Sequence, residues 1–245
     1  MADKVDRIKI LKSKHADAHP DDGAITGEGL RDLYRDRFDS GEKGRKSKLW
    51  SVLVGYLQRY VPEDATVLDM GAGYCEFINH VRAARKIAVD LNPDTAANAA
   101  PGVEVFQAAC DALTFQDDAS VDVVFISNFL EHLADKKEVL RVLKEANRVT
   151  REGGRIIIIQ PNIRLAFNEY WDYFDHHVAL SDRSLTEAVK LAGYRPVKVI
   201  PAFLPFSTKG AVRQLVFLFR VYMSLPFLWR FFGKQTLVVA EKRPV

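Results

Sequence analysis

Apolar positions are sparse at the start of the chain and become periodic near residue 49. Leu49, Trp50, Leu53, Val54, Leu57, Tyr60 and Val61 recur at spacings of three and four, the pattern of an amphipathic helix. Upstream, Lys12 to Gly29 is polar and carries Asp-Asp-Gly with two further glycines, so it reads as a loop or arm. Leu30 to Phe38 fits one short helix, and Gly41 to Lys48 reads as a basic, glycine-containing linker. Residues 1–61 are therefore expected to form an arm and helical cap, ahead of a main domain over 62–245.

From Thr66 the pattern changes to short apolar runs. Val67-Leu68, Lys86 to Val89, Val103 to Phe106, Val121 to Ile126 and Ile156 to Ile159 are β-branched and non-alternating, as expected of parallel strands buried on both faces. Helical stretches separate most of them. Asp135-Lys-Lys-Glu138 is a capping box for a helix through Val149, and Gly153-Gly154 supplies a turn into the fifth strand. Asp111 to Ser120 is too short and polar for a full helix. A further helix runs from about Asp182 to Gly193, and Val197 to Phe203 and Thr236 to Ala240 make two last strands. This alternation predicts an α/β fold: a doubly wound, Rossmann-like, mainly parallel seven-stranded sheet, with an N-terminal helical cap and a hydrophobic insertion before the last strand.

Composition narrows the function classes. The 245 residues suit one α/β domain with decorations, and the apolar share of 48% supports a core without disulfide or metal staples. The two cysteines, Cys75 and Cys110, match no zinc or redox spacing and fit a reducing, cytoplasmic setting. A net charge of +3 argues against a nucleic-acid binder driven by bulk charge. Met1 to Lys14 lacks the apolar core of a signal peptide, and no run of about 18 apolar residues is present to span a bilayer.

The chemistry-bearing residues sit at strand ends. In Val67-Leu68-Asp69-Met70-Gly71-Ala72-Gly73 a strand ends in an acid and runs into glycines, which turn tightly and let a ligand touch the backbone. A plain glycine turn would give the same letters. The second strand, however, ends in Asp90-Leu91, about 20 residues on, where an acid can take both hydroxyls of a ribose. Asp90 would otherwise be a helix N-cap, but Asn92 before Pro93 is the better cap. Asp111-Ala112 follows the third strand, where a carboxylate can accept from an adenine amino group. Ser127-Asn128-Phe129-Leu130-Glu131-His132 follows the fourth. In open α/β sheets all four segments converge on one crevice.

Together these motifs resemble the class I S-adenosylmethionine-dependent methyltransferases, especially the small-molecule branch, over roughly Thr66 to Phe203. Asp69, Gly71 and Gly73 match that family's acid-x-Gly-x-Gly motif, and Asp90 its acid after the second strand. Asp111 and Ala112 match its adenine-side pair, Glu131 and His132 its Glu-His pair, and Gly153 and Gly154 its turn before the fifth strand. The resemblance implies S-adenosylmethionine as cofactor, held by Asp69, Gly71, Ala72, Gly73, Asp90, Leu91, Asp111, Ala112 and Asn128. Cys75 departs from the pattern, standing where the family often has a third glycine. A nicotinamide-binding domain would instead want glycine at position 76, which is Glu76.

Methyl transfer requires donor and nucleophile to be held in line and can add a general base. Asn168 to His177, rich in aromatic and titratable groups, follows the fifth strand; His176 and His177 are the base candidates, against the plainer reading that they pack the loop on the sheet edge. His132 reads as structural, and no metal-ligand cluster has convincing spacing. The insertion over 205–235 places Val212, Leu215, Val216, Phe219, Tyr222 and Met223 at helical spacing, followed by Pro226 and an aromatic run to Phe232. Arg213 and Arg220 lie one heptad apart. Four occupants fit this surface: a membrane interface meeting 211–232, a lid over a greasy acceptor, a second copy in a homodimer, or the protein's own core. Asp175-His176, Leu204 to Phe206 and Gly233-Lys234-Gln235 are similar to methyltransferases of bacterial polysaccharide and lipid-linked glycan assembly. The expected acceptor is thus an oxygen or nitrogen of a small or lipid-linked molecule. The competing expectation is a non-catalytic cofactor-binding scaffold docked on a membrane or partner enzyme.

Overall fold

The computed structural model describes residues 8–10, 43–206 and 216–244. The expected arm over Lys12 to Gly29, the helix over Leu30 to Phe38, and Val212, Arg213 and Leu215 lie outside the described residues. In chain order the strands are β1 (Ile8–Ile10), β2 (Thr66–Met70), β3 (Arg85–Asp90), β4 (Val103–Gln107), β5 (Val121–Ser127), β6 (Thr150–Pro161), β7 (Tyr194–Leu204) and β8 (Gln235–Lys242). The helices are α1 (Lys43–Leu57), α2 (Glu76–His80), α3 (Thr95–Asn98), α4 (Lys136–Val149), α5 (Phe167–Tyr170), α6 (Asp182–Leu191), α7 (Val216–Ser224) and α8 (Pro226–Phe232), with 3-10 turns at Gln58–Tyr60 and Leu130–His132.

The sheet order is β1-β4-β3-β2-β5-β6-β8-β7. The seven expected strands are β2 to β8, and β1 adds an eighth, pairing parallel with β4 at the edge (Ile8 opposite Val105). β8 runs antiparallel between β6 and β7. β2 runs parallel to both neighbours, β3 and β5, and the strand order reverses there: β3 and β4 extend the sheet on one side, and β5 and β6 on the other. That switch point opens a crevice at the strands' carboxyl ends.

Two apolar layers hold the sheet. One face carries Leu68, Ile87, Val124, Ile156 and Ile158 against α4 and α6. The other carries Val67, Ala88, Val123, Phe125, Ile157 and Ile159 against α1, α2 and the insertion helices. Adjacent residues of one strand thus enter opposite layers, which is why the runs read as continuous rather than alternating.

Local signals acted as expected at several helix ends and differently at others. The Asp135 side chain accepts from the Glu138 N–H at 2.8 Å, but Glu138 reaches back to the Ala134 N–H (2.7 Å) rather than to that of its cap. Gly193 ends the α6 connection at φ +97°. Gly153-Gly154, expected as a turn before the fifth strand, lies inside β6. Val121 pairs with Thr150 and Val123 with Arg155, so the extra residues bulge out. The linker expected through Lys48 is helical from Lys43, because Leu49, Leu53, Val54 and Leu57 bury themselves and draw the preceding turn into α1. Asn92 does not cap α3. Its side chain accepts from the Asp94 N–H at 2.9 Å, forming a turn that leads into a helix starting at Thr95.

Candidate active site

The glycine turn after β2 is built from alternating left-handed residues: Gly71 (φ +71°), Gly73 (φ +48°) and Cys75 (φ +59°). Gly71 has no room for a side chain, since a Cβ there would stand 2.5 Å from the Phe129 ring. Gly73 faces open space. Cys75 occupies a conformation that costs a non-glycine residue about 1–2 kcal/mol. Its thiol is buried and directed at the Thr95 carbonyl (3.5 Å), away from the turn's open side. That explains how cysteine substitutes for glycine here without closing the turn to a ligand.

A cavity of about 310 Å³ opens at the switch point. Asp69, Gly71, Ala72, Gly73 and Asn128 form one wall; Glu131, His132, Tyr173 and His176 form another. Lys46, Leu49, Trp50 and Leu53 of α1 roof it, and Phe206, Phe219 and Gln235 contribute from the insertion side.

Asp90 lies outside the lining but is joined to it. Its Oδ2 accepts from the Gly73 N–H at 2.7 Å and its Oδ1 from the Asn92 N–H at 2.8 Å. Burial pushes the Asp90 carboxyl up, and the Asn92, Gly73 and Leu91 N–H groups oppose it without cancelling it. Asp69 is fully buried and pushed well above the usual carboxylate range by burial and by Asp90, with the Ile78 N–H partly offsetting. Among the described residues neither acid makes an ion pair. Two uncompensated carboxylates beside a cavity favour a ligand that brings positive charge and hydrogen-bond donors. Leu91, half exposed, and Asp111 and Ala112 also lie outside the lining, on the flank beyond Asp90. Asp111 faces the Arg141 guanidinium at 3.8 Å.

The second wall is a buried titratable cluster. His132 Nδ1 donates to Asp175 Oδ2 (3.1 Å) and to the Asp175 carbonyl (3.0 Å), and its Nε2 stands 3.9 Å from Glu131 Oε1. Glu131 Oε2 accepts from Gln160 Nε2 at 2.9 Å. Burial pushes Glu131 up, with His132 and Gln160 opposing. Burial pushes His132 down, but Glu131 and the Asp175 hydrogen bond outweigh it and the net direction is up. His176 stacks on Tyr173 (4.9 Å between ring centroids) and meets His132 edge-on at 5.1 Å.

Of the two histidines singled out by sequence, His176 is therefore at the cavity, whereas His177 is exposed and off its lining. The backbone separates them: in this irregular segment the His177 N–H donates to the Glu131 carbonyl at 2.8 Å, with the His176 side chain buried and that of His177 exposed. The sequence suggests a structural role for His132 and places Tyr173 in the candidate acceptor segment, but does not single out Lys46. The Glu-His pair at the end of β5 was the available signal for His132. Nothing local marked Lys46, which enters through the extension of α1.

Residues 68–158 match a family described as a methyltransferase domain. A sarcosine/dimethylglycine N-methyltransferase of Halorhodospira halochloris is 34% identical over 117 residues, a stretch covering 43% of this chain and 40% of that relative. Among solved structures, a Haloferax volcanii chain from a complex with the Trm112 methyltransferase activator superposes with a TM-score of 0.63 at 21% identity, covering 84% of this chain and 95% of that one. An S-adenosylmethionine-dependent methyltransferase from Archaeoglobus fulgidus gives 0.58 at 20% identity, covering 79% and 94%.

Proposed function

Residues 68–158 match a methyltransferase-domain family, and we propose that this chain is a class I S-adenosylmethionine-dependent methyltransferase that moves the methyl group of S-adenosylmethionine to an oxygen or nitrogen of a small or lipid-linked acceptor. One observation carries the reading: a single cavity has a buried acid, Asp69, beside the Gly71 to Gly73 turn on one wall and the Glu131, His132 and His176 side chains on the other. The donor's ammonium and sulfonium suit the Asp69 side, with its backbone turn at Gly71 to Gly73. The ribose hydroxyls suit Asp90, which keeps a lone pair on each oxygen after accepting from Gly73 and Asn92. Leu91, Asp111 and Ala112 flank the adenine end. Asn128, at φ +48° beside Ser127, edges the donor wall.

In this reading Trp50, Tyr173 and Phe206 exclude water and position the acceptor between donor and cluster. The acceptor oxygen or nitrogen attacks the methyl carbon, and the carbon–sulfur bond breaks with its electrons going to sulfur. The acceptor's proton passes toward the cluster or solvent. The insertion supports a lipid-linked acceptor. Phe217, Phe227, Phe231 and Phe232 are 60–74% exposed, beside exposed Arg220 and Arg230, which suits shallow contact with an anionic membrane. Among the described residues no helix is long and apolar enough to cross a membrane. The direct test is calorimetry with S-adenosylmethionine, followed by transfer of labelled methyl from it to lipid-linked and water-soluble glycan fractions. Absence of donor binding would overturn the proposal; donor binding with no labelled product in any fraction would favour a non-catalytic scaffold.

A further inference from the structure

We propose that Glu131, His132 and His176 hold a divalent transition-metal cation on the acceptor wall of the cavity. The idea rests on the methyl-transfer reading, because it names what activates the acceptor, but the site can be tested without turnover. One carboxylate oxygen of Glu131 and one ring nitrogen of each histidine lie within 4.8 Å of one another. Glu131 and His176 are buried, His132 is partly so, and all three line the cavity. Two imidazoles and one carboxylate on one side of a cavity leave coordination positions open toward its interior, the arrangement that lets a metal act on a bound molecule.

The surroundings orient these groups as ligands. His132 Nδ1 is fixed as a donor to Asp175 at 3.1 and 3.0 Å, which leaves Nε2 on the Glu131 side. A carboxylate behind a histidine in this way sets the tautomer and raises ligand basicity. Gln160 holds Glu131 Oε2 at 2.9 Å and so turns Oε1 toward His132. Neighbouring ligands about 2.1 Å from a tetrahedral ion stand ~3.4 Å apart. The 3.9 Å between Nε2 and Oε1 therefore closes by about 0.5 Å on binding, within the reach of small side-chain torsions.

A cation here has a defined use. It coordinates the acceptor hydroxyl and lowers its pKa, so the proton leaves to solvent before or during attack. The alkoxide oxygen then bonds to the methyl carbon while the carbon–sulfur electrons remain on S-adenosylhomocysteine. One open position, with a second on expansion to five-coordination, favours an acceptor that presents a hydroxyl with a second oxygen on the adjacent carbon, as a sugar diol or a hydroxy acid does.

The test uses the tag-free full chain, stripped with a chelator and titrated with Co²⁺, read by visible absorption and calorimetry. One Co²⁺ per chain is expected, with a ligand-field band. Glu131→Gln and His176→Gln should each weaken binding roughly tenfold or more while S-adenosylhomocysteine affinity and the melting profile hold. Asp175→Asn should weaken Co²⁺ less, through His132. If a Glu131 variant fails to fold, His176→Gln alone decides. No Co²⁺ binding by folded wild type, or binding that survives both ligand substitutions, would overturn the metal site. S-adenosylhomocysteine calorimetry separates the two ideas: its failure would sink the methyl-transfer reading whatever the Co²⁺ result.

Discussion

Asp90→Asn isolates the charge that organises the donor half of the cavity. The substitution is isosteric, so it changes hydrogen-bond polarity and little else. Asp90 accepts from Gly73 N–H through one oxygen and from Asn92 N–H through the other, at 2.7 and 2.8 Å. An amide can keep only one of these, because its NH₂ would face a second donor. The lost backbone bond costs about 1–3 kcal/mol, and removing a buried carboxylate that burial already disfavours offsets part of it. The unliganded fold should therefore be modestly destabilised, whereas the donor site loses a charge-assisted acceptor for ribose.

That second loss is about 1.5–3 kcal/mol, or roughly 10- to 150-fold in affinity. Ligand-induced stabilisation amplifies it in a thermal assay. At a donor concentration 100 times the wild-type Kd, binding stabilises wild type by about 2.7 kcal/mol, which is roughly 5–11 °C in a chain of this size. A variant weakened 100-fold gains about 0.4 kcal/mol at the same concentration, or roughly 1–2 °C. Calorimetry and differential scanning with S-adenosylhomocysteine should agree on this collapse. A folded Asp90→Asn variant with wild-type affinity would remove Asp90 from the donor site and, with it, the argument that the β3 end faces a ribose.

Asp69 should make donor binding proton-linked. Its carboxyl is pushed up in the unliganded fold, so it stabilises that fold only at low pH, and the contribution is lost as pH rises through its folded pKa. A cationic donor favours the ionised form, so affinity should climb with pH and level off above that pKa; calorimetry in buffers of differing ionisation enthalpy should detect proton release, and a flat profile would contradict it. His176→Ala should lower turnover by roughly 10²–10⁴-fold with donor affinity retained, while His177→Ala stays near wild type; equal effects would refute the division made by the cavity. For the insertion, wild type should sediment with anionic vesicles and less so in high salt, with each exposed arginine adding about 1 kcal/mol. Phe227→Asp with Phe231→Asp should stay in the supernatant yet bind donor, and wild type that ignores every vesicle composition would refute the membrane reading.

The glycine-turn side of the cavity was legible because backbone rules write it locally. Acids close β2 and β3, and a turn needing left-handed residues follows at Gly71 and Gly73, so a few adjacent letters specify both shape and charge. The other side is assembled from distant segments, and its signals are correspondingly weak. His132 reads as structural until Asp175, 43 residues away, is seen to fix its ring; the equally plausible His177 is turned outward by a backbone bond to Glu131. The insertion shows the same limit. Phe219, Tyr222 and Met223 fit a membrane-facing stripe by spacing, yet they are buried, with the Tyr222 hydroxyl donating to the Phe203 carbonyl at 2.7 Å. Phe217, Phe227, Phe231 and Phe232, on the other side, stay exposed. Spacing established that an amphipathic surface exists; which side is dry depended on where α1 and β7 offered apolar partners, a tertiary fact that no local window contains. Here Phe219 both closes the core and lines the cavity, so the insertion reaches the cavity through a side chain that also anchors it.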